Sequence, residues 1–180
     1  MHDSMPLAGL HKMVWTALMA ALVTAGAFMQ LPLGPVPFTM QPFFAMLAGF
    51  VLGPLYGAAA VGLYVAAGLL GLPVFAGGKA GLAVLLGPTG GYLFGFILGA
   101  AVCGLAARGQ MTWRRGLLFG LANLAVVYGL GLLQLKAVLS LDWLKALAVG
   151  FAPFILQDLV KLGMAVATTR FLRSKGLAPK

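Results

Sequence analysis

The sequence predicts an all-α, polytopic membrane protein, a bundle of six transmembrane helices in a single domain over 1–180, and three observations predict it. Apolar residues make up 62% of the chain and charged residues 8%, where soluble domains hold about 45–50% and about 25%. Twelve Lys and Arg and three Asp cannot cover the surface of a soluble domain of this size. Long charge-free stretches alternate with short basic clusters, and Pro/Gly punctuation cuts them into pieces near the length of a spanning helix, about 20 residues. The apolar content excludes disorder. Cys103 is the only cysteine, which excludes a disulfide scaffold.

The elements follow in order. Between Lys12 and Lys79 there is no charged residue, which leaves room for three spans. Leu31-Pro32-Leu33-Gly34-Pro35-Val36-Pro37 cannot be regular helix, because proline lacks the N–H and fixes φ. Gly53-Pro54 marks a second break and Gly71-Leu72-Pro73 a third. The first three helices are expected at 13–31, 40–53 and 55–72. One helix over 40–72 would be about 50 Å long, against a hydrocarbon core of about 30 Å, so Gly53-Pro54 is read as a turn. A glycine-rich loop from Pro73 to Pro88 carries Lys79, and helices at 89–107, 115–134 and 146–172 complete the six.

Six spans place both termini on one side. Lys12, Arg108, Arg114, Arg115, Arg170, Arg173, Lys175 and Lys180 fall on that side, and Lys79, Lys136 and Lys145 on the other. Basic residues concentrate on the cytoplasmic face, so both termini are expected in the cytoplasm, with the chain in the cytoplasmic (inner) membrane. Reading 13–31 as a cleaved signal peptide, with Ala25-Gly26-Ala27 at the cut, leaves five spans and spoils this bias. The net charge of +9 does not indicate nucleic acid, because the basic residues are not interleaved with aromatics along a stripe.

Asp158 and Lys161 give the best functional clue. They lie three apart in the sixth span and therefore share a helix face. A charge at mid-bilayer costs at least about 2.5–3.5 kcal/mol, and such residues face a cavity or each other. Two readings stay open: a self-neutralising pair that packs the bundle, and a polar anchor for a small ligand. In the second, Asp158 accepts N–H bonds and Lys161 donates. Tyr92, near the start of the fourth helix, is either an interfacial anchor or a ligand contact. Ala17, Ala21 and Ala25 form a small-xxx-small face, used for internal packing or for docking on a partner.

Other chemistry is not indicated. Gly78-Lys79 is followed by Ala80, so no phosphate cradle is present. His2 and His11 have no ligand set around them, and no metal site or cofactor is expected. Ser4 and Ser140 have no triad partners, and no catalytic residue is expected. Cys103 and the nine methionines read as packing residues.

Several segments resemble the BioY family, the biotin-binding S components of energy-coupling factor transporters. They are Val36-Pro37-Phe38-Thr39-Met40-Gln41-Pro42-Phe43-Phe44, Gly53-Pro54-Leu55-Tyr56-Gly57, Gly71-Leu72-Pro73-Val74-Phe75-Ala76-Gly77-Gly78 and Gly87-Pro88-Thr89-Gly90-Gly91-Tyr92. The resemblance covers about 14–172. It implies a biotin site open to the outside, a lid formed by the loop after helix three, and docking through helix one on a transmembrane coupling subunit served by two ATPase subunits. It implies that Asp158, Lys161 and Tyr92 contact biotin, with Gln41, Gly78 and Lys79 completing the substrate-binding set. The family carries an Asn near the Gly-Gly of the lid loop. Here the positions read Gly78-Lys79-Ala80, and two roles are open to Lys79, a ureido contact or the carboxylate. The expected function is high-affinity biotin capture for uptake. The alternative is a stand-alone proton-coupled transporter of a small vitamin-like anion, with Asp158 as the proton relay.

Overall fold

The computed structural model describes residues 5–32 and 34–179, with side chains from residue 9 onward. The expectations for His2, Ser4, Leu33 and Lys180 lie outside these residues. The elements run α1 (Met5–Phe28), β1 (Gln30–Leu31), β2 (Phe38–Thr39), α2 (Gln41–Leu69), α3 (Leu82–Leu86), α4 (Gly90–Leu105), a 3₁₀ turn (Ala106–Arg108), α5 (Trp113–Leu139), α6 (Trp143–Gly150) and α7 (Ile155–Ser174). The protein is a helical, multi-pass membrane protein, as its sequence predicts. Gly9–Phe28, α2, Gly90–Arg108 and α5 are each long and apolar enough to cross a membrane. The bent pair of α6 and α7 makes a fifth candidate. A count of six is reached only when the two limbs of α2 are taken separately.

α2 covers both the second and third expected helices, and its backbone leaves helical geometry at Gly53, with φ 83°. A β-carbon at position 57 would lie 2.6 Å from the Cα of Gly49. Residues eight apart in a continuous helix stand about 12 Å apart. The chain therefore doubles back at Gly53-Pro54, and glycine is needed there because φ is positive. The two limbs press together through Gly49 and Gly57.

Several boundaries differ from expectation: α2 ends at Leu69 rather than 72, α5 runs over Trp113–Leu139 rather than 115–134, and the short α3 lies inside the segment expected as the loop from Pro73 to Pro88. α1 starts at Met5 rather than Met13, because helix needs only absence of a breaker, and Pro6 is tolerated in a first turn. The segment expected as one helix at 146–172 is two, α6 and α7, bent by 48°. Pro153, between them, cannot continue a helix ladder. The Leu31–Pro37 stretch is not helical, but its flanks pair as a two-stranded antiparallel ribbon, Gln30 with Thr39 and Leu31 with Phe38.

α1 buries Met19, Val23 and Ala27 against the bundle, four residues apart on one face. Ala17, Ala21 and Ala25 lie on its exposed side. At Gly26 the helix meets the first turn of α2, where a β-carbon would stand 2.7 Å from the Phe44 ring. The described members of the expected inner basic group all fall at the bundle end where α1 starts and α7 finishes. Lys79, Lys136 and Lys145 fall at the other end.

Candidate functional site

The end opposite the basic cluster holds a cavity of about 710 Å³. The β1–β2 ribbon, the loop after α2, the first turns of α4, the middle of α5 and the start of α7 build its wall. Its size falls within the usual range for small-molecule sites, about 300–1,000 Å³. Most of the lining is apolar, including Val36, Phe75, Leu93, Phe96, Val127 and Phe154.

Asp158 and Lys161 belong to this wall. They are 5% and 4% exposed, and Lys161 Nζ donates to Asp158 Oδ1 at 2.7 Å. Asp158 sits in the first turn of α7, where the helix dipole favours an anion. Its other oxygen accepts from the Tyr128 hydroxyl at 2.7 Å. Lys161 Nζ also donates to the backbone carbonyl of Thr39 at 2.8 Å, which ties the ribbon to α7. The ammonium lies 4.0 Å from the centroid of the Phe38 ring, an attractive contact of the cation–π kind. An ammonium has three donors and a carboxylate about four lone-pair sites. The pair thus retains one donor and two acceptor sites beyond these partners.

The remaining sequence-predicted residues have distinct placements. Tyr92 lines the cavity with its ring, while its hydroxyl donates to the Gly150 carbonyl at 2.8 Å. Its ring has space because position 131 is glycine, where a β-carbon would strike it. Gln41 lines the cavity and donates from Nε2 to the Tyr64 hydroxyl at 2.7 Å, while Thr39 Oγ1 donates to Gln41 Oε1 at 3.2 Å. Lys79 is exposed and stands at the mouth beside Gly77 and Gln30. Gly78 takes φ 69° in a tight turn and is not itself in the lining. That turn is closed by a bridge between Phe75 and Lys79.

The loop after α2 is held down by two devices. Phe75 is buried against Tyr64, with ring centroids 5.6 Å apart, over the space left by Gly68. Farther along, α3 is clasped to α5 by Gln134, whose Nε2 donates to the carbonyls of Leu85 at 2.6 Å and Gly87 at 2.8 Å.

Sequence reading missed Tyr128, which holds Asp158 and packs its ring on Phe151 at 4.8 Å. The signal was there. A tyrosine in the middle of an apolar span has a hydroxyl that needs a partner, and the only carboxylate predicted within a span is Asp158.

Comparison with known proteins follows the same lines. A sequence profile described as the BioY family matches residues 1–176. The chain belongs to the BioY family. It is 48% identical to the biotin transporter BioY of Thermotoga maritima, over 93% of this chain and 98% of that one. It is 39% identical to the biotin transporter BioY of Rhizobium etli, over 88% and 90% of the two chains. The crystal structure of the S-component for biotin from an ECF-type ABC transporter matches with a TM-score of 0.86 at 28% identity, over 96% of this chain and 95% of that one. The BioY resemblance carried by the glycine-proline segments is therefore borne out, and those segments now have places. Phe75, Gly77 and Gly87 to Thr89 line the cavity, and Gly53-Pro54 forms the turn at the other end.

Proposed function

We propose that this chain is the biotin-binding membrane subunit of an uptake system, a transporter component rather than an enzyme. The observation that carries the reading is the buried Asp158–Lys161 pair in the wall of a mostly apolar cavity, with a donor and acceptors left over. Biotin presents the complement. Its ureido group offers N–H donors to Asp158 and a carbonyl to Lys161, and its bicycle and tail are apolar. Its carboxylate reaches toward the mouth, where Lys79 supplies a positive charge. Tyr92 and Phe96 provide apolar contact for the bicycle, and Gln41 closes the floor beside Thr39.

Six spans, with the limbs of α2 as the second and third, place the chain in the cytoplasmic membrane with both termini inside. The segregation of basic residues at the end away from the cavity supports that orientation, so the cavity faces outward under the loop after α2 acting as its lid. The chain has no phosphate cradle of its own. Two ATPase subunits therefore drive uptake through a membrane coupling subunit that docks on Ala17, Ala21 and Ala25, which lie exposed on α1. A proton relay at Asp158 is disfavoured because both its oxygens are held, one by an ammonium.

The experiment is reconstitution in vesicles. Biotin uptake is expected to need ATP and the coupling and ATPase subunits. Uptake by the chain alone, driven by a pH gradient, selects the stand-alone transporter instead.

A further inference from the structure

At the end away from the biotin cavity, a second hollow of about 210 Å³ lies beneath the Gly53-Pro54 turn. Lys12 from α1, Arg108 from the 3₁₀ turn and Arg173 from α7 all line it, and no carboxylate does among the described residues. These three come from segments far apart in the chain, so their convergence is a product of the fold. Arg173 is fixed there: its guanidinium donates to the carbonyls of Gly109 at 3.2 Å and Phe50 at 3.1 Å. Lys12 is drawn to the turn by the Tyr56 ring, 5.7 Å from its ammonium. Three cations around one hollow repel each other, and the repulsion grows where the dielectric falls. An anion between them relieves it.

We propose that this hollow holds the phosphate of an anionic membrane lipid. Basic pockets between transmembrane helices at the membrane surface bind such head groups, and arginine suits phosphate through its fork of donors. The neighbouring surface fits the rest of the lipid. Met13, Val14 and Leu18, just inward from Lys12 on α1, are exposed and apolar and offer a track for acyl chains. They share a face with Ala17, Ala21 and Ala25, so the lipid covers this face when the coupling subunit is not docked. A free phosphate shares the head-group chemistry but makes no use of that track.

Native mass spectrometry of the purified full chain, with phosphatidylglycerol or phosphatidylcholine added, tests the proposal. The wild-type chain is expected to retain phosphatidylglycerol roughly tenfold better, given the attraction of each basic residue for anionic lipid. Lys12→Gln with Arg108→Gln is expected to remove that preference. Arg114→Gln with Lys175→Gln removes the same charge from exposed positions outside the hollow and is expected to keep it. Unchanged biotin binding in both double variants establishes that they fold. Equal retention of the two lipids by wild type overturns the proposal, as does equal loss of preference in both double variants. Displacement of the lipid by inorganic phosphate at the lipid's own micromolar concentration also overturns it, by assigning the hollow to the free anion.

Discussion

Replacing Asp158 and Lys161 together, as Asp158→Leu with Lys161→Met, is expected to leave the ligand-free protein about as stable as wild type and to weaken biotin binding about 100-fold or more. The two effects have separate origins. Removing one member alone leaves a charge in the wall without its partner, and breaking a buried pair costs about 3–5 kcal/mol. Lys161 at 4% exposure cannot turn to water when Asp158 is removed. Removing both charges for apolar side chains of similar volume is neutral or stabilising by about 1–4 kcal/mol, because the desolvation cost goes with them. The price is two orphaned groups in the cavity wall, the Tyr128 hydroxyl, which loses its acceptor at 2.7 Å, and the Thr39 carbonyl, which loses its donor at 2.8 Å. They cost about 1–3 kcal/mol each at most, offset by the desolvation saved. Binding responds differently. Hydrogen bonds to charged groups contribute about 1.5–3 kcal/mol each, so losing one to Asp158 and one to Lys161 weakens biotin by a factor of about 100 or more. Thermal melting followed by biotin titration of the single and double variants checks both parts. A double variant that melts with wild type and still binds biotin at full strength reduces the pair to bundle packing.

The second large effect is expected at the crossing of α2 and α4. Gly49 lies against α4, and a β-carbon there would meet the Ala100 carbonyl and stand 2.8 Å from Cys103 Cβ. On the other side of the same crossing, a β-carbon at Gly104 would meet the backbone of Gly53 and Pro54. Small residues let helices approach closely in lipid, where dispersion rather than hydrophobic exclusion drives association. Gly49→Ala and Gly104→Ala each overpack the contact and cost about 1–3 kcal/mol. Gly62, in the second limb of α2, has nothing within 4 Å of its would-be β-carbon, so Gly62→Ala is expected to melt at or above wild type. Melting curves of the three variants in one detergent decide it; equal melting of all three contradicts the close crossing.

What the sequence disclosed follows from how strongly each feature was constrained. Membrane class was legible because three acidic residues and a long charge-free run leave no other solution. Asp158 and Lys161 were legible because charge inside an apolar run is costly. The doubling back at Gly53-Pro54 was legible from length, since an unbroken helix would overreach the bilayer. The break at Pro153 was equally available but was passed over, because the apolar run continues through Phe151 and Phe154 and masks it. The early start of α1 was hidden for the opposite reason: residues before Met13 look polar, while backbone hydrogen bonding ignores polarity. Tyr128 was signalled by its mid-span hydroxyl and was overlooked, whereas Gln134 was invisible as a site residue because its role depends on which helices meet, and only the fold brings α5 to α3. Ala17, Ala21 and Ala25 were legible as a stripe but not by side, and the structure turns them outward.

The claim that supports the rest is that the carboxylate and ammonium of α7 meet the ureido head of biotin. Calorimetric titration of the purified chain with biotin and two analogues addresses it directly. One analogue is methylated on both ureido nitrogens; the other has its carboxyl amidated. Biotin is expected to bind one per chain. Methylation removes the donors and sets methyl groups against the two acceptor sites that Asp158 keeps beyond Lys161 and Tyr128. Those sites are left desolvated and unfilled, so methylation is expected to weaken binding about 100-fold or more. Amidation affects only the mouth beside exposed Lys79 and is expected to weaken binding less than about tenfold, in line with a screened surface pair. Indifference to methylation, with amidation abolishing binding, would contradict the account.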